Sequence, residues 1–322
     1  MLSYRIVFDD GEAQALDNVL TCVLDVDADV PADSLTLTCT FDERIRAHAD
    51  KIEAYCADKL VFSGQLDNIS CVKRGMGVIL KLDARSRAAA LLDNEAEPQT
   101  YRNPTMGLIE RRHLSPFGLR FDSKDDVPYS GMLAVGKGMT HWQVLRGFFL
   151  NRFQRLPRVN PDGTVCLPRQ SLEEPEVFSD TGEGTVYFWL KEARRRHRLL
   201  SEVRLKFRQK NTYRASLKNT NPAAKSISRV RFVNAAADNA TVSTAEKMLE
   251  NSNRDSYVVT LRCIGCHAEM PGKSAVLRDS RLGETNGLTV AKVRVTADRK
   301  GEISEITLKK ERFDVADALH NE

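Results

Sequence analysis

The stretch KIEAYCADKLVFSGQLDNISCVKRGMGVILKLDARS, Lys51–Ser86, predicts three consecutive β-strands. Its turn signals, ADK and KRGMG, separate apolar runs of strand length. The preceding stretch SLTLTCTF, Ser34–Phe41, has an apolar residue at every second position from Leu35 to Phe41, which is the period of a strand with one buried face. Residues 1–97 are therefore predicted to form a small antiparallel β-barrel domain.

From residue 98 onward the pattern becomes helical. In YRNPTMGLIERRHL, Asn103 is the expected helix cap and Pro104 the first helical position. In GMTHWQVLRGFFLNRF, Thr140 and Gln143 form a capping-box pattern. The residues that recur behind them at helical spacing are expected to be core, namely Trp142, Leu145, Phe149 and Phe153. A Pro-Asp-Gly turn then predicts a hairpin, so residues 98–184 read as a small α/β domain.

Strand patterns return after residue 184. SEVRLKFRQKNTYRASLKN, SYVVTLRC, GLTVAKVRVTA and GEISEITLKKE predict strands, and STAEKMLENS predicts one amphipathic helix. Residues 185–322 are therefore predicted to form a second β-barrel domain with one inserted helix. The expected fold class is α+β and mainly β, with two similar antiparallel β-barrel domains and the small α/β domain between them.

The composition limits the class of protein. The 322 residues carry a formal net charge of +4, which suits acidic partners without requiring a nucleic acid. Seven cysteines without the spacing of a disulfide framework fit a reducing cytoplasm. Asp9 and Asp10 stand where a signal peptide needs an apolar centre, and no apolar run reaches the roughly 18 residues of a membrane span. We expect no membrane insertion.

The order of these segments resembles one known family, the baseplate hub proteins of contractile phage tails and related prophage-encoded injection particles. The first barrel and its continuation are similar through DSLTLTCTFDE, DKLVFSGQLDNIS and GVILKLDARSRAAALLDNEAEPQTYRNPTMGLI. The middle domain is similar through GMTHWQVLRGFFLNRFQRLPRVNPDGTVCL. The second barrel is similar through SEVRLKFRQKNTYRASLKN, SRVRFVNA, STAEKMLENS and GLTVAKVRVTADRKGEISEITL. The resemblance rests on the preserved order of diffuse patterns over most of the chain.

The resemblance implies a structural, non-enzymatic role. Hub proteins of this kind form homotrimers in which two similar barrels per subunit make a pseudo-sixfold ring, which joins a sixfold tail tube to a threefold central spike and lines the DNA channel. The implied partners are further copies of this chain, a central spike protein, tail-tube or tube-initiator proteins, a tape-measure protein, and passing DNA that is not tightly bound. The implied location is the virion tail baseplate, assembled in the host bacterial cytoplasm. Since the chain ends at DVADALHNE, the spike is expected to be a separate protein.

The string CIGCH spells the motif for covalent attachment of a c-type haem. Haem attachment needs export, for which the sequence has no signal, so we expect no cofactor. Cys263, Cys266 and His267 are candidate metal ligands, because their spacing matches half of a structural zinc site. A fourth ligand, such as His197 or Cys166, would have to approach through folding. The competing interpretation is the buried end of a strand.

The run KEARRRHRLLSEVRLKFRQK, Lys191–Lys210, is the densest group of positive charge noted in the sequence. It is interpreted either as a solvated strand face or as a surface for electrostatic docking, with Arg194, Arg195 and Arg196 as the candidate docking residues. A basic nucleic-acid-binding module and a metal-dependent module remain the alternative functions. Only Phe207 supplies an aromatic ring within the run, which is little for base stacking.

No catalytic motif is found in the sequence. His113 and His141 lie in predicted helices without a neighbouring serine or cysteine nucleophile. Glycines in GKGMTHW precede a capped helix and lack the arrangement of a phosphate-binding loop. The protein is therefore expected not to be an enzyme.

Overall fold

The fold is mainly β, which confirms the predicted fold class: of the residues that the structure describes, 49% lie in strands and 19% in helices. A computed structural model describes the following residues: 1–123, 125, 127–153, 155–166, 174–207, 211–234, 238–310 and 320–321. Among these residues, no helix has the length and apolar character needed to cross a membrane. The terminal DVADALHNE stretch lies mostly outside the described residues.

The strands follow one another along the whole chain, with helices between some of them. The strands are β1 (Leu2–Phe8), β2 (Ala13–Ala15), β3 (Val19–Asp27), β4 (Ser34–Thr40), β5 (Ala49–Cys56), β6 (Lys59–Arg74), β7 (Gly77–Ser86), β8 (Gln99–Arg102), β9 (Arg120–Phe121), β10 (Met132–Val135), β11 (Arg158–Val159), β12 (Thr164–Cys166), β13 (Glu176–Ser179), β14 (Thr185–Arg194), β15 (Glu202–Leu205), β16 (Ala215–Lys218), β17 (Val230–Val233), β18 (Tyr257–Ile264), β19 (Ser274–Asp279), β20 (Gly283–Asp298), β21 (Gly301–Lys310) and β22 (His320–Asn321). The α-helices are α1 (Glu43–His48), α2 (Ala89–Asp93), α3 (Met106–Ile109), α4 (His141–Phe153) and α5 (Asp238–Ser256). A π-helical turn spans Glu110–Leu114, and 3-10 turns span Ser115–Phe117, Arg196–Arg198 and Pro222–Ala224.

The chain divides into two compact units. The first unit contains Met1–Glu173, Cys263–Gly272 and Ala291–Glu305. The second contains Glu174–Arg262, Lys273–Val290 and Ile306–Glu322. Residues 1–97 and 98–173 thus fall in one unit, together with two later segments. The division into domains at 97/98 and 184/185 stays a prediction.

The first unit is built on an antiparallel sheet in the strand order β3-β4-β7-β6-β5-β1-β2. The predicted strands of Lys51–Ser86 are β5, β6 and β7, and positive φ angles at Ala57 and Asp58 form the tight turn between the first two. The later strand residues 292–297 pair with 22–27 of β3 and extend this sheet. Its core includes Cys22, Leu24 and Leu37, which are fully buried.

Six strands form a closed barrel, and most of their residues belong to the second unit. Its strands follow the order β19-β13-β14-β18-β21-β20, and a further pairing of β20 with β19 closes the ring. One detail differs from the predicted antiparallel arrangement, because β13 runs parallel to both β14 and β19. Because β13 has only four residues, its parallel pairing affects few of the backbone hydrogen bonds of the barrel.

The middle part of the first unit has its own hydrophobic core around α4. Trp142, Leu145 and Phe149 are buried, and Phe153 is partly buried, as the helical spacing predicts. The predicted capping box is also confirmed. The amide of Gln143 donates to Thr140 Oγ1 at 3.3 Å, and the amide of Thr140 donates to Gln143 Oε1 at 2.8 Å. The predicted hairpin is the β11–β12 pair, with Val159 opposite Val165.

Two local predictions were wrong, and a third was right about the helix but not about where it begins. Thr105, not Asn103, caps α3, and its hydroxyl accepts from the Leu108 amide at 3.2 Å. Asn103 has a φ of 47° and accepts instead from the Gly131 amide. Phe41 is 44% exposed, because β4 ends at Thr40 and Asp42 is already the N-cap of α1. The predicted helix of STAEKMLENS is α5, which begins earlier, at Asp238.

We expect Gly64→Ala to destabilise the first unit. Gly64 lies in β6 between Ile52 and Ser86 of the neighbouring strands, and a Cβ there would collide with the Arg85 backbone carbonyl. Overpacking of this kind lowers the free energy of unfolding by about 1–3 kcal/mol. Urea denaturation monitored by circular dichroism measures the change. The control is Gly107→Ala, where the added Cβ meets no atom within 4 Å, and equal stability of the two variants would contradict the prediction.

Candidate functional site

The CIGCH stretch forms the end of β18 and the turn after it. Val259, Leu261 and Cys263 are buried on alternate positions, as predicted for a strand end. The strand stops at Ile264, and Gly265 has a φ of 93°, which favours glycine. The turn is fixed by Ser304, whose hydroxyl donates to the Gly265 carbonyl at 2.6 Å and accepts from the His267 amide at 3.0 Å.

The side chains of this stretch are engaged in protein contacts rather than gathered around one point. His267 Nε2 lies 3.2 Å from the Ile264 carbonyl. Cys56 Sγ donates to the Cys266 carbonyl at 3.6 Å. Cys166 Sγ donates to Asn160 Oδ1 at 3.7 Å, and His197 is exposed in a 3-10 turn of the second unit. Within the described ranges, no group of three or more His, Cys, Asp or Glu side chains is arranged to hold a metal ion.

Burial also disfavours the thiolate form of both cysteines. Burial raises the pKa of Cys263 to about 11. Burial is likewise the largest cause that raises the pKa of Cys266, and the nearby Cys56 thiol raises it further. Metal binding requires the thiolate. Both cysteines therefore behave as small apolar residues at neutral pH.

Replacing Cys266 with serine tests whether this stretch is structural. We expect Cys266→Ser to fold and assemble like the parent chain, because the neighbouring residues are bound mainly through backbone groups and Ser304. Thermal unfolding and elemental analysis of both purified proteins measure this, and both proteins should contain far less than one metal ion per chain. A metal ion bound to the parent chain and lost in the variant would establish the ligand interpretation instead.

Arg194 is the last residue of β14, and Arg195 and Arg196 follow it directly. Arg194 is 77% exposed in its side chain and pairs with Glu192 at 3.2 Å. The Arg195 amide donates to the Ser256 carbonyl at 2.6 Å, and Arg196 Nη2 donates to Ser226 Oγ at 2.7 Å. All three arginines are exposed. Their side chains are thus available to a partner while their backbone is held in place.

The apolar residues of the same run point into the protein. Leu199, Val203 and Leu205 are buried, and Phe207 is partly buried against the same core. Exposed charges alternate with this buried set. The run is therefore a half-buried, half-solvated segment, and the docking role of Arg194, Arg195 and Arg196 stays a prediction.

The barrel of the second unit exposes large apolar side chains on β14. Val186 is 50% exposed and Phe188 is 58% exposed. Beside them, the Arg262 guanidinium lies over the Trp189 ring at 4.6 Å. Side chains of this size on one strand are typical of a protein-binding surface.

A buried chain of polar rings lies in the core around α4. His113 is 1% exposed. Its Nε2 atom lies 2.9 Å from the Tyr101 hydroxyl, and its Nδ1 atom lies 3.0 Å from His141 Nδ1. A neutral His113 satisfies both contacts with a single ring proton, since the Tyr101 hydroxyl can donate or accept. Phe117 packs edge-on against His141 and covers the pair.

Sequence reasoning missed this chain because its members are 12 and 28 residues apart. The one available signal was the position of His113 beside Leu114 and four residues after Ile109, the spacing of one helix face. The π-helical turn Glu110–Leu114 carries His113. With two histidines, a tyrosine and no adjacent nucleophile, the arrangement is a satisfied polar network within a hydrophobic core.

The electrostatics of this network favour neutral histidines. Burial, and then the neighbouring His141 and Arg112 side chains, lower the pKa of His113 to about 4. Burial also lowers the pKa of His141, and a hydrogen bond with the Glu95 backbone acts in the opposite direction. Neither hydrogen-bond partner of His113 is a carboxylate. A proton taken up here would be an uncompensated charge among apolar residues.

The network predicts a loss of stability at acidic pH. Because the folded pKa of His113 lies below the unfolded value of 6.5, the unfolded chain binds a proton first as the pH falls. The contribution of His113 to the free energy of unfolding should therefore fall by about 3 kcal/mol between pH 6.5 and pH 4, while Asp33, whose pKa burial raises to about 6, contributes in the opposite direction. Denaturation at a series of pH values measures the slope. His113→Gln should remove the contribution of His113 to the slope of unfolding free energy against pH. The control His48→Gln, at an exposed site, should leave the slope unchanged. Equal slopes in all three proteins would contradict the prediction.

Comparison with known proteins identifies the fold. A tail protein from Neisseria meningitidis MC58 superposes with a TM-score of 0.76 at 17% identity, covering 96% of each chain. The 43 kDa tail protein of prophage MuSo2 from Shewanella oneidensis superposes with a TM-score of 0.77 at 12% identity, covering 96% of this chain and 98% of that one. An Escherichia coli component of the type VI secretion system, itself similar to two T4 bacteriophage tail proteins, superposes with a TM-score of 0.53 at 11% identity. The superposition covers 94% of this chain and 75% of that one.

The similarity is structural rather than sequence-based. No family model matches the chain, and no curated protein is similar to it in sequence. The superpositions cover nearly the whole chain, so both units take part. The chain therefore has the fold of phage tail proteins, which confirms the resemblance drawn from the order of its segments.

Proposed function

We propose that the protein is a structural hub subunit of a phage-like tail baseplate and has no catalytic activity. The observation that carries the proposal is the superposition of almost the entire chain on two phage tail proteins, with TM-scores of 0.76 and 0.77. The network of His113 and His141 supports the absence of catalysis, because its rings are hydrogen-bonded to each other and to Tyr101 in a buried core. A tail location, after assembly in the host bacterial cytoplasm, follows from the same proposal.

The hub is proposed to be a homotrimer. Three copies with two barrels each would offer six similar docking surfaces to a sixfold tube, while the α/β part would keep threefold symmetry for a central spike. The exposed Val186 and Phe188 of β14 support an assembly role, because apolar groups of this size are normally covered in a working complex. The proposed three domains, 1–97, 98–184 and 185–322, correspond to this division of roles.

The proposed partners follow from that geometry. They are a central spike protein, tail-tube or tube-initiator proteins and a tape-measure protein, with DNA passing through the ring. The chain has a mild net charge of +4, which suits a channel through which DNA must move without being held. A basic nucleic-acid-binding module remains the second candidate function, and the exposed Arg194, Arg195 and Arg196 favour it.

Mass in solution tests the trimer. Light scattering coupled to size-exclusion chromatography should give three times the 36.1 kDa of one chain at high protein concentration. Phe188→Asp should shift the equilibrium at least tenfold toward the monomer, because a buried charge without a partner opposes association. The control is Met76→Asp, which changes a fully exposed side chain in a turn. A stable dimer would overturn the hub proposal, and an unchanged trimer in Phe188→Asp would exclude β14 from the interface.

A further inference from the structure

The positive charge of the chain is concentrated in one continuous segment. Residues 191–231 contain 14 lysines and arginines and only two acidic residues, Glu192 and Glu202. Since the whole chain has a net charge of +4, the remaining residues carry a net charge of −8. The mild overall charge therefore hides a strongly basic region within a slightly acidic protein.

Three short strands of this basic segment, β15, β16 and the start of β17, belong to a small sheet of the second unit. The strand order is β17-β15-β16-β22, so β17 is an edge strand among the residues that the structure describes. On one face, Val203, Leu205, Leu217 and Val233 form a core with Ala245 and Leu249 of α5. The other face is not part of this core. We call that second face, together with the β17 edge, the basic edge.

The strand register defines which side chains share the basic edge. Arg204 lies opposite Ser216 of β16 and Phe232 of β17. Two residues earlier, Glu202 lies opposite Lys218 and Val230 on the same face. Phe232 is 59% exposed, an unusual state for a phenylalanine in a strand.

An aromatic pair gives the basic edge an apolar anchor. Tyr213 is 36% exposed, and its ring meets that of Phe232 edge-to-face, with centroids 5.2 Å apart and an interplanar angle of 80°. Arg214 and Arg231 precede these rings or follow them in the chain and are exposed; Arg231 lies opposite Val203, so its side chain leaves the β17 edge on the other face of the sheet from Phe232. The combination is an apolar centre with a basic rim beside an edge strand, which is the anatomy of a peptide-binding edge.

We propose that the basic edge binds an acidic, extended polypeptide segment that adds as a strand to β17. β17 pairs with β15 on one side, and no strand within the described ranges pairs with its other side, which is where a further strand would add. The partner's alternate side chains would contact Phe232 on one face, and its carboxylates would meet the surrounding arginines. Positive charge at the edge also repels a second copy of the same edge, so an acidic strand is favoured over self-association.

The geometry favours a polypeptide over a nucleic acid. The two rings already contact each other edge-to-face and do not form a pair of parallel platforms for successive bases. Glu202 lies on the same face and is ion-paired with Arg204 at 2.7 Å, so part of the positive charge is neutralised where phosphates would approach. A free strand edge matches the hydrogen-bonding groups of a peptide backbone and has no counterpart in a sugar-phosphate chain.

Three fluorescent peptides of about eight residues, a usual strand length, test the proposal. The first alternates glutamate and valine. The second has the same charge but contains prolines, which remove backbone donors and prevent strand addition. The third carries lysine in place of glutamate. Fluorescence anisotropy with the full chain should show binding of the first peptide, at least tenfold weaker binding of the second, and no binding of the third.

Variants of the protein locate the binding surface. Arg231→Glu and Phe232→Ser change exposed side chains and should each weaken binding of the first peptide about tenfold, with Arg231→Glu also reducing its salt dependence. The control is Arg299→Glu, an exposed arginine in a turn outside residues 191–231, which should bind within about twofold of the parent.

Three results would overturn the proposal. Equal binding of the proline-containing peptide would show a diffuse charge effect without strand addition. Tighter binding of duplex or single-stranded DNA than of the first peptide, lost in Arg231→Glu, would assign the surface to nucleic acid. Absence of binding of the first peptide at low ionic strength would exclude the site. This result is independent of the mass of the protein in solution, because the trimer and the basic edge are tested by separate measurements.

Discussion

The sheet of the first unit depends on one pairing between segments that are far apart in the chain. Residues 292–297 lie antiparallel to residues 22–27, and this pairing supplies β3 with a second neighbour. Val293 and Val295 are buried, as are Val26 and Leu24 directly opposite them. Without these residues an apolar strand edge would be exposed, with unpaired backbone groups and a tendency to aggregate. Asp25 also pairs with Lys292 at 2.8 Å, although a surface ion pair adds little to stability.

The charge of this protein is unevenly distributed along the chain. The net charge of +4 suggests a nearly neutral molecule, yet residues 191–231 are strongly basic and the rest is slightly acidic. Exposed arginines surround an apolar pair in that region, so charge and apolar area act together. Charge of this kind mainly selects partners and speeds their encounter, whereas the buried apolar contact slows dissociation.

The buried histidines illustrate a different constraint. His113 is buried, and His141 is half-buried in contact with it. The hydrogen bonds of His113 with Tyr101 and His141 allow its ring to be buried with both nitrogens satisfied. Protonation of His113 would place an uncompensated charge in the core around α4. The stability of this core therefore depends on pH.

Local patterns were sufficient to predict much of this fold. Alternation in Lys51–Ser86 predicted β5 to β7, and the spacing of Thr140 and Gln143 predicted the start of α4, because both depend on contacts within a few residues. The mainly β class and the likeness to phage tail proteins followed from the order of such segments. The parallel alignment of β13, the pairing of 292–297 with β3, and the contact of His113 with His141 did not follow from the sequence. They join residues that are distant in the chain, and the free energy that selects them comes from burial and hydrogen bonding in the folded core, which no short window of sequence contains.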